Sequence, residues 1–230
     1  MKKIFYLVLL AALAACTSGD ESTSDSSDNS VDPLLGLNLP TSPYNYSSQT
    51  VPGYITKDNT PLGETIDDDI ATLGRVLFYD TNLSVNNSVS CASCHQQSLA
   101  FSDDDTQSSG LSGGLTGRHA MRLINARFAN ESRFFWDERA VNLEDQVTQP
   151  IQDHIEMGFS GENGDPNFDD LITRMNGLSY YPVLFTYAFE SNEINENRIQ
   201  RALSQFVRSI QSFDSKYDQG RANTPNDQAP

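Results

Sequence analysis

Ser90-Cys91-Ala92-Ser93-Cys94-His95 is the stretch that decides how the rest of the chain is read. Two thiols three residues apart, with an imidazole directly after the second, form the C-x-x-C-H run of c-type haem attachment. On one helical turn the two sulfurs can add to the two vinyl groups of a haem. The adjacent imidazole of His95 then meets the iron from below, leaving the opposite face for a sixth ligand or for substrate. Two other chemistries use similar spacings. A redox dithiol belongs in a βαβ context that this chain lacks, and a zinc site needs a second pair of cysteines. The chain has three cysteines in all, too few for that pair or for a disulfide framework.

The third cysteine sits at the end of the N-terminal segment. Lys2 and Lys3 precede an apolar run from Ile4 to Ala15, which closes on Leu13-Ala14-Ala15-Cys16. A charged start, a short greasy middle and small residues at the end describe an export signal over residues 1–15. The run falls short of the ~20 apolar residues that a bilayer core demands of a spanning helix. The ending is similar to a bacterial lipobox, which makes Cys16 the expected lipidated first residue of the mature chain, with a plain secretory signal as the alternative. The expected location is the periplasm or cell envelope, with the lipid as the sole membrane contact.

Outward from these cysteines, composition narrows the class. The 230 residues carry 15 Lys and Arg against 31 Asp and Glu, a net charge of -16. Nucleic acid is excluded as a partner, because a phosphate backbone needs clustered basic residues to displace its counterions. A 37% hydrophobic content with nine Tyr and twelve Phe suffices for a core. Residues 17–32 hold one aliphatic side chain and no positive charge, so they read as a flexible acidic tether. Residues 33–63 stay irregular, with five prolines, although Leu34, Leu35, Leu37, Tyr44 and Tyr46 are available to pack on the domain.

Regular structure is expected from Ile66. Ile66, Ile70, Leu73 and Leu77 recur at helical spacing behind Asp67, Asp68 and Asp69, where the helix dipole favours negative charge. Further helices are expected over residues 143–149, 166–175 and 181–189, and a last one over 194–214, in which Ile199, Leu203, Phe206 and Ile210 form one apolar stripe. Ser, Gly and Asn crowd the stretch between the first helix and Ala140, which predicts long loops. No alternating strand pattern occurs. The expected class is all-α, a cytochrome c-like haem domain with long loops.

A haem alone does not separate an electron carrier from an enzyme. A carrier closes the sixth position, commonly with Met, and Met121, Met157 and Met175 are candidates. An enzyme keeps it open beside an acid–base group, for which Glu156 in Asp153-His154-Ile155-Glu156-Met157 is the candidate.

Longer stretches shift that balance. Leu73-Gly74-Arg75-Val76-Leu77-Phe78-Tyr79-Asp80, Leu83-Ser84, the haem motif and Gly117-Arg118-His119-Ala120-Met121 occur in this order. Leu123-Ile124-Asn125, Phe135-Trp136-Asp137-Glu138-Arg139-Ala140, Leu143-Glu144-Asp145-Gln146 and Pro150-Ile151-Gln152 follow, then Glu156-Met157-Gly158. Over residues 64–220 the chain resembles the N-terminal, peroxidatic haem domain of bacterial di-haem cytochrome c peroxidases. The resemblance implies haem c on Cys91 and Cys94, with His95 as proximal iron ligand. It implies Glu156 as the distal acid–base group in reducing hydrogen peroxide to water, with Gln146 and Pro150 lining the same pocket. Trp136 would lie between this haem and a second one as an electron relay. Electrons would come from a small cytochrome c or a copper protein (a cupredoxin), and the resemblance is compatible with a homodimer.

Three departures from the family pattern stand out. Leu111 occupies the place where many members carry a loop histidine that caps the resting iron, so a resting iron with five ligands or water is expected. That feature resembles the branch of the superfamily that oxidises a partner protein. His119 occupies the position where relatives often carry the Asn that helps hold an inter-haem calcium, so the calcium site carries over without that ligand. The chain also has no second C-x-x-C-H, and residues 221–230 read as the start of a linker to a second haem domain. The expected reading is a piece of a longer protein, with a single-haem remnant as the alternative.

Overall fold

The carboxylate of Asp67 opens the first helix by accepting the backbone N–H groups of Asp69 and Ile70 at 2.9 and 3.0 Å. In the computed structural model, which describes residues 34, 37, 39–129 and 133–223, this helix is α1, Asp68–Tyr79. The expected export signal, Cys16, the acidic tether and residues 224–230 of the expected linker lie outside the described residues. The helices that follow are α2 (Cys91–Cys94), α3 (Leu143–Thr148), α4 (Phe168–Gly177) and α5 (Tyr180–Phe189). They are completed by α6 (Glu196–Ser209) and α7 (Lys216–Ala222). Among the described residues there is no strand, only three isolated bridges that pin loops, Gln96 to Ser102, Ser109 to Leu115 and Phe134 to Ala140. The class is all-α with long loops, as the sequence predicts.

The centre of the core is the crossing of α1 on α6. Ile70, Leu73 and Leu77 from one helix and Ile199, Leu203 and Phe206 from the other are all buried. Gly74 permits the close approach: a Cβ there would lie 1.9 Å from the Ala202 carbonyl oxygen. Phe78 meets Phe206 edge-on at 5.1 Å between ring centres, an arrangement aromatic pairs favour. The proline-rich lead-in is irregular yet fixed to this core. Tyr46 is buried, and the N–H groups of Tyr46 and Ser47 both donate to Asp68 Oδ1 at 2.8 Å.

Two polar devices hold the loops that surround the haem motif. Asp80 accepts the hydroxyls of Tyr180 and Tyr181 at 2.6 and 2.7 Å, tying the end of α1 to α5. Arg174 on α4 donates to the carbonyls of Asn82, Ser84 and Val85 at 2.8–3.1 Å, so one guanidinium satisfies a whole turn.

One expected boundary is corrected. The last helix does not run to residue 214: α6 ends at Ser209, and the separate α7 begins at Lys216 behind a Ser215 cap. The cause is a tertiary hydrogen-bond set that helical backbone could not make. Asn125 donates its backbone N–H to the Ile210 carbonyl at 2.8 Å, and its side chain both donates to and accepts from the backbone of Ser212. Phe213 then packs on Phe128 at 5.6 Å. Ile210 stays buried, so the apolar stripe persists although the helix does not.

Candidate haem site

Cys91 and Cys94 lie on the single turn of α2, with His95 as its C-cap. Ser90 donates its N–H to Ser93 Oγ at 3.0 Å, and the His95 N–H closes the turn on the Cys91 carbonyl at 2.9 Å. Both thiols are free. Burial pushes the Cys91 thiol up to about 12 and raises Cys94 as well, with the charge of Glu156 adding to both. A redox dithiol works through an easily formed thiolate, so this environment opposes that reading. Burial also holds the His95 imidazole below its ordinary value, against the pull of the Phe101 and Met121 carbonyls. His95 Nδ1 donates to the Phe101 carbonyl at 3.0 Å, which leaves Nε2 as the free lone pair, the arrangement of a metal-binding histidine.

These three side chains line an apolar inner pocket, and Cys94 and His95 also line an outer cleft of about 580 Å3. That volume lies in the range of cofactor sites. Two thiols on one turn, a histidine lining the same apolar pocket and an adjoining cleft of cofactor size fit a covalently attached haem.

Across the inner pocket stand Gln146, Pro150 and Glu156, and all three border the outer cleft too. Gln146 belongs to α3, whose Asn142 cap accepts the Asp145 N–H, and Pro150 follows where the helix stops. Glu156 is placed by its neighbours. Asp153 Oδ1 accepts the N–H groups of Ile155 and Glu156 at 2.8 and 3.0 Å, which folds the turn. From the other side Leu111 donates its N–H to the Ile155 carbonyl at 2.7 Å. Gly110 allows this contact, because a Cβ there would lie 2.2 Å from that same carbonyl oxygen. Burial, reinforced by the charge of Asp153 and opposed by Arg139, pushes the Glu156 carboxyl up to about 7. A carboxyl with that value can both accept and donate a proton near neutrality.

Trp136 borders the outer cleft with 55% of its surface exposed, and its indole N–H donates to the His119 carbonyl at 2.9 Å. The structure thus brings together Cys91, Cys94, His95, Gln146, Pro150 and Glu156 around one cavity, and sets Trp136 in the wall of the adjoining cleft. Met157 lines the inner pocket and Met121 the outer cleft, whereas Met175 is buried in the core and borders neither. His154 stands outside both, paired with Asp165 at 2.6 Å.

A family model described as di-haem cytochrome c peroxidase matches residues 68–225. The chain belongs to that family. As a member of the di-haem cytochrome c peroxidase family, its cofactor is haem c and its fold is all-α and cytochrome c-like. It is 32% identical over 158 residues to the methylamine utilization protein MauG of Methylophilus methylotrophus, covering 69% of this chain and 44% of that one. It is 32% identical over 150 residues to cytochrome c551 peroxidase of Nitrosomonas europaea, covering 65% of this chain and 42% of that one. Among solved structures it is similar to a MauG-like protein associated with microbial copper homeostasis, with a TM-score of 0.65 and 35% identity. That match covers 76% of this chain and 50% of the other. The chain spans less than half the length of the curated relatives named here.

Residues to which the sequence assigns no part in holding His95 complete the site. Phe101, Ser102, Asp103 and His119 surround the back of His95, and Gly110 and Thr116 shape the pocket wall. The sequence singles out His119 only as a departure from the family pattern and marks none of the others, because isolated residues in a loop carry no periodicity.

Proposed function

We propose that this chain is a c-type haem peroxidase domain that reduces hydrogen peroxide to water with electrons from a small cytochrome c or copper protein. The observation that carries it is Glu156, half-buried in the same cavity wall as the haem motif and pushed up to about 7. The haem, when bound, supplies the iron at which peroxide receives electrons. Glu156 takes the proton from the nearer peroxide oxygen and returns it to the farther one, which leaves as water. Gln146 and Pro150 shape the space beside that carboxyl, and Cys91 and Cys94 would hold the cofactor. His95, held through Nδ1, presents Nε2 to the iron. Each peroxide consumes two electrons and two protons, and Trp136 in the cleft wall is the route assigned to the electrons. The lipidated Cys16 and the envelope location belong to the same proposal, as do the second haem domain and a homodimer.

The test is steady-state peroxide consumption with a reduced donor cytochrome, comparing the parent protein with Glu156→Gln. Retained haem with turnover lost supports the reading; an active variant overturns it.

A second reading, a peroxide-dependent oxidant of a partner protein, is favoured by the similarity to MauG and by the exposure of Trp136. Turnover sustained by a small donor protein would argue against it. For a single-haem electron carrier, Met121 or Met157 would close the iron, and a sulfur-to-iron charge-transfer band would reveal it.

A further inference from the structure

His95 depends on an acceptor that is itself in an unusual conformation. The Phe101 carbonyl takes the His95 Nδ1 proton at 3.0 Å and a weaker contact from the Leu123 N–H at 3.3 Å. Ala100 and Phe101 both have positive φ, 58° and 56°, in the left-handed region that non-glycine residues avoid. Such conformations are strained and persist only where surrounding contacts hold them.

The contacts that hold this one converge on the next residue. Ser102 is buried, and its carbonyl accepts the Gln96 N–H at 2.8 Å. Its hydroxyl donates to the Ala120 carbonyl at 2.7 Å and faces His119 Nε2 at 3.1 Å. Having spent its only proton on Ala120, the Ser102 oxygen is an acceptor toward His119. On its other side His119 Nδ1 meets the Asp105 carbonyl at 2.6 Å and Asp103 Oδ1 at 3.0 Å. Both ring nitrogens therefore face acceptors. Asp103 Oδ1 lies beside the ring without hydrogen-bond alignment, while Oδ2 accepts the Ser108 hydroxyl at 2.5 Å. Asp103 is buried, and a buried carboxylate demands a partner of this kind.

We propose that Ser102, His119 and Asp103 are positioning residues for the proximal ligand, a relay that clamps the Phe101 carbonyl against His95 Nδ1 and so sets how strongly the imidazole donates to the iron. The proposal rests on the reading of His95 as axial ligand given above. A strong acceptor on Nδ1 makes the ring a better donor through Nε2 and favours ferric iron. The relay also reaches the cleft wall, because the His119 carbonyl holds the Trp136 indole at 2.9 Å. One residue thus ties the proximal ligand to the residue assigned to electron entry. None of the three lines the inner pocket where Glu156 stands with Cys91, although His119 borders the outer cleft.

The test uses the haem-loaded full chain and two readouts, the midpoint potential and the hyperfine-shifted Nδ1 proton of His95 in the ferric protein. In Ser102→Ala and His119→Gln the potential rises, and the proton moves toward its position in an unassisted imidazole. Asp103→Asn shifts both in the same direction. A potential and proton position unmoved in both His119→Gln and Ser102→Ala would overturn the relay. A parent protein without a hyperfine-shifted histidine proton would overturn the ligand assignment itself, and the relay with it.

Discussion

Arg208 on α6 grips the carboxylate of Glu144 on α3 through both guanidinium ends, with its Nη2 3.0 Å from Glu144 Oε2. Arg208 is almost fully buried and also holds Asn59 of the lead-in, through Oδ1 at 3.1 Å and the carbonyl at 3.3 Å. Ser204 adds its hydroxyl to Glu144 at 3.1 Å. Three segments distant in sequence meet at this one cation, directly behind the helix that carries Gln146.

Replacing Arg208 by Leu leaves Glu144 partly buried without its counter-charge. Removing one partner of a buried pair costs about 3–5 kcal/mol, so Arg208→Leu is expected to lower unfolding free energy by that order in denaturant titrations. Burial pushes Glu144 up, but Arg208 overrides it and holds the carboxyl below its ordinary 4.5. A lowered folded value means that this contribution is complete above 4.5 and fades as pH falls through the folded value. The difference in stability between parent and variant should therefore shrink in acid; an undiminished gap at low pH would contradict the assignment.

Glu156 has the opposite sign. Its carboxyl is raised from 4.5 to about 7, so between those values the folded state holds more protons than the unfolded one. Stability should fall as pH rises across that window and level off above it, and Glu156→Gln should remove the slope. Turnover should run the other way, rising through pH 7 as the carboxylate forms, and Glu156→Gln should lower it about 100- to 10,000-fold. His154, raised by its hydrogen bond to Asp165, is the control. Because it lies outside the cavity, His154→Gln should leave the turnover profile in place.

Gly110→Ala probes the seat of Glu156 without altering the carboxyl. The new methyl would collide with the Ile155 carbonyl, which is backbone and cannot rotate away. Overpacking of this kind costs about 1–3 kcal/mol, and the displaced turn should lower turnover with haem content unchanged. Parent-like turnover would mean that the Glu156 segment is not held by this contact.

The resting ferric protein should not show the low-spin spectrum of an iron with two histidine ligands. The chain has three histidines, and besides His95 the other two are engaged elsewhere. His154 is tied to Asp165, and the ring nitrogens of His119 face Ser102 and Asp105. Leu111, on the loop against Ile155, offers no ligand atom. Electron paramagnetic resonance of the oxidised protein checks this.

Part of the candidate site is legible in the sequence. Covalent haem attachment demands fixed spacing along one turn, so Cys91, Cys94 and His95 announce themselves in sequence. Glu156 is a bare candidate from its residue type, and only the resemblance singles it out with Gln146 and Pro150, since nothing local distinguishes a cavity-facing glutamate from a solvated one. The helices around Leu73 and Leu203 were readable because burial of one face imposes a 3.6-residue period. That same period misled beyond Ser209, where Ile210 remains buried in extended chain.

By itself the sequence determined an acidic, helical chain with one haem attachment motif and an apolar face on each long helix, because these depend on composition and on neighbours a few residues apart. Only the tertiary structure decided where α6 ends, which carboxyl is lifted to about 7, and what holds the acceptor of His95. Each of those depends on groups far apart in the chain, as when Asn125 engages Ser212 or His119 engages Ser102. Desolvation and hydrogen-bond partnership are properties of position in space, and a linear pattern does not carry them.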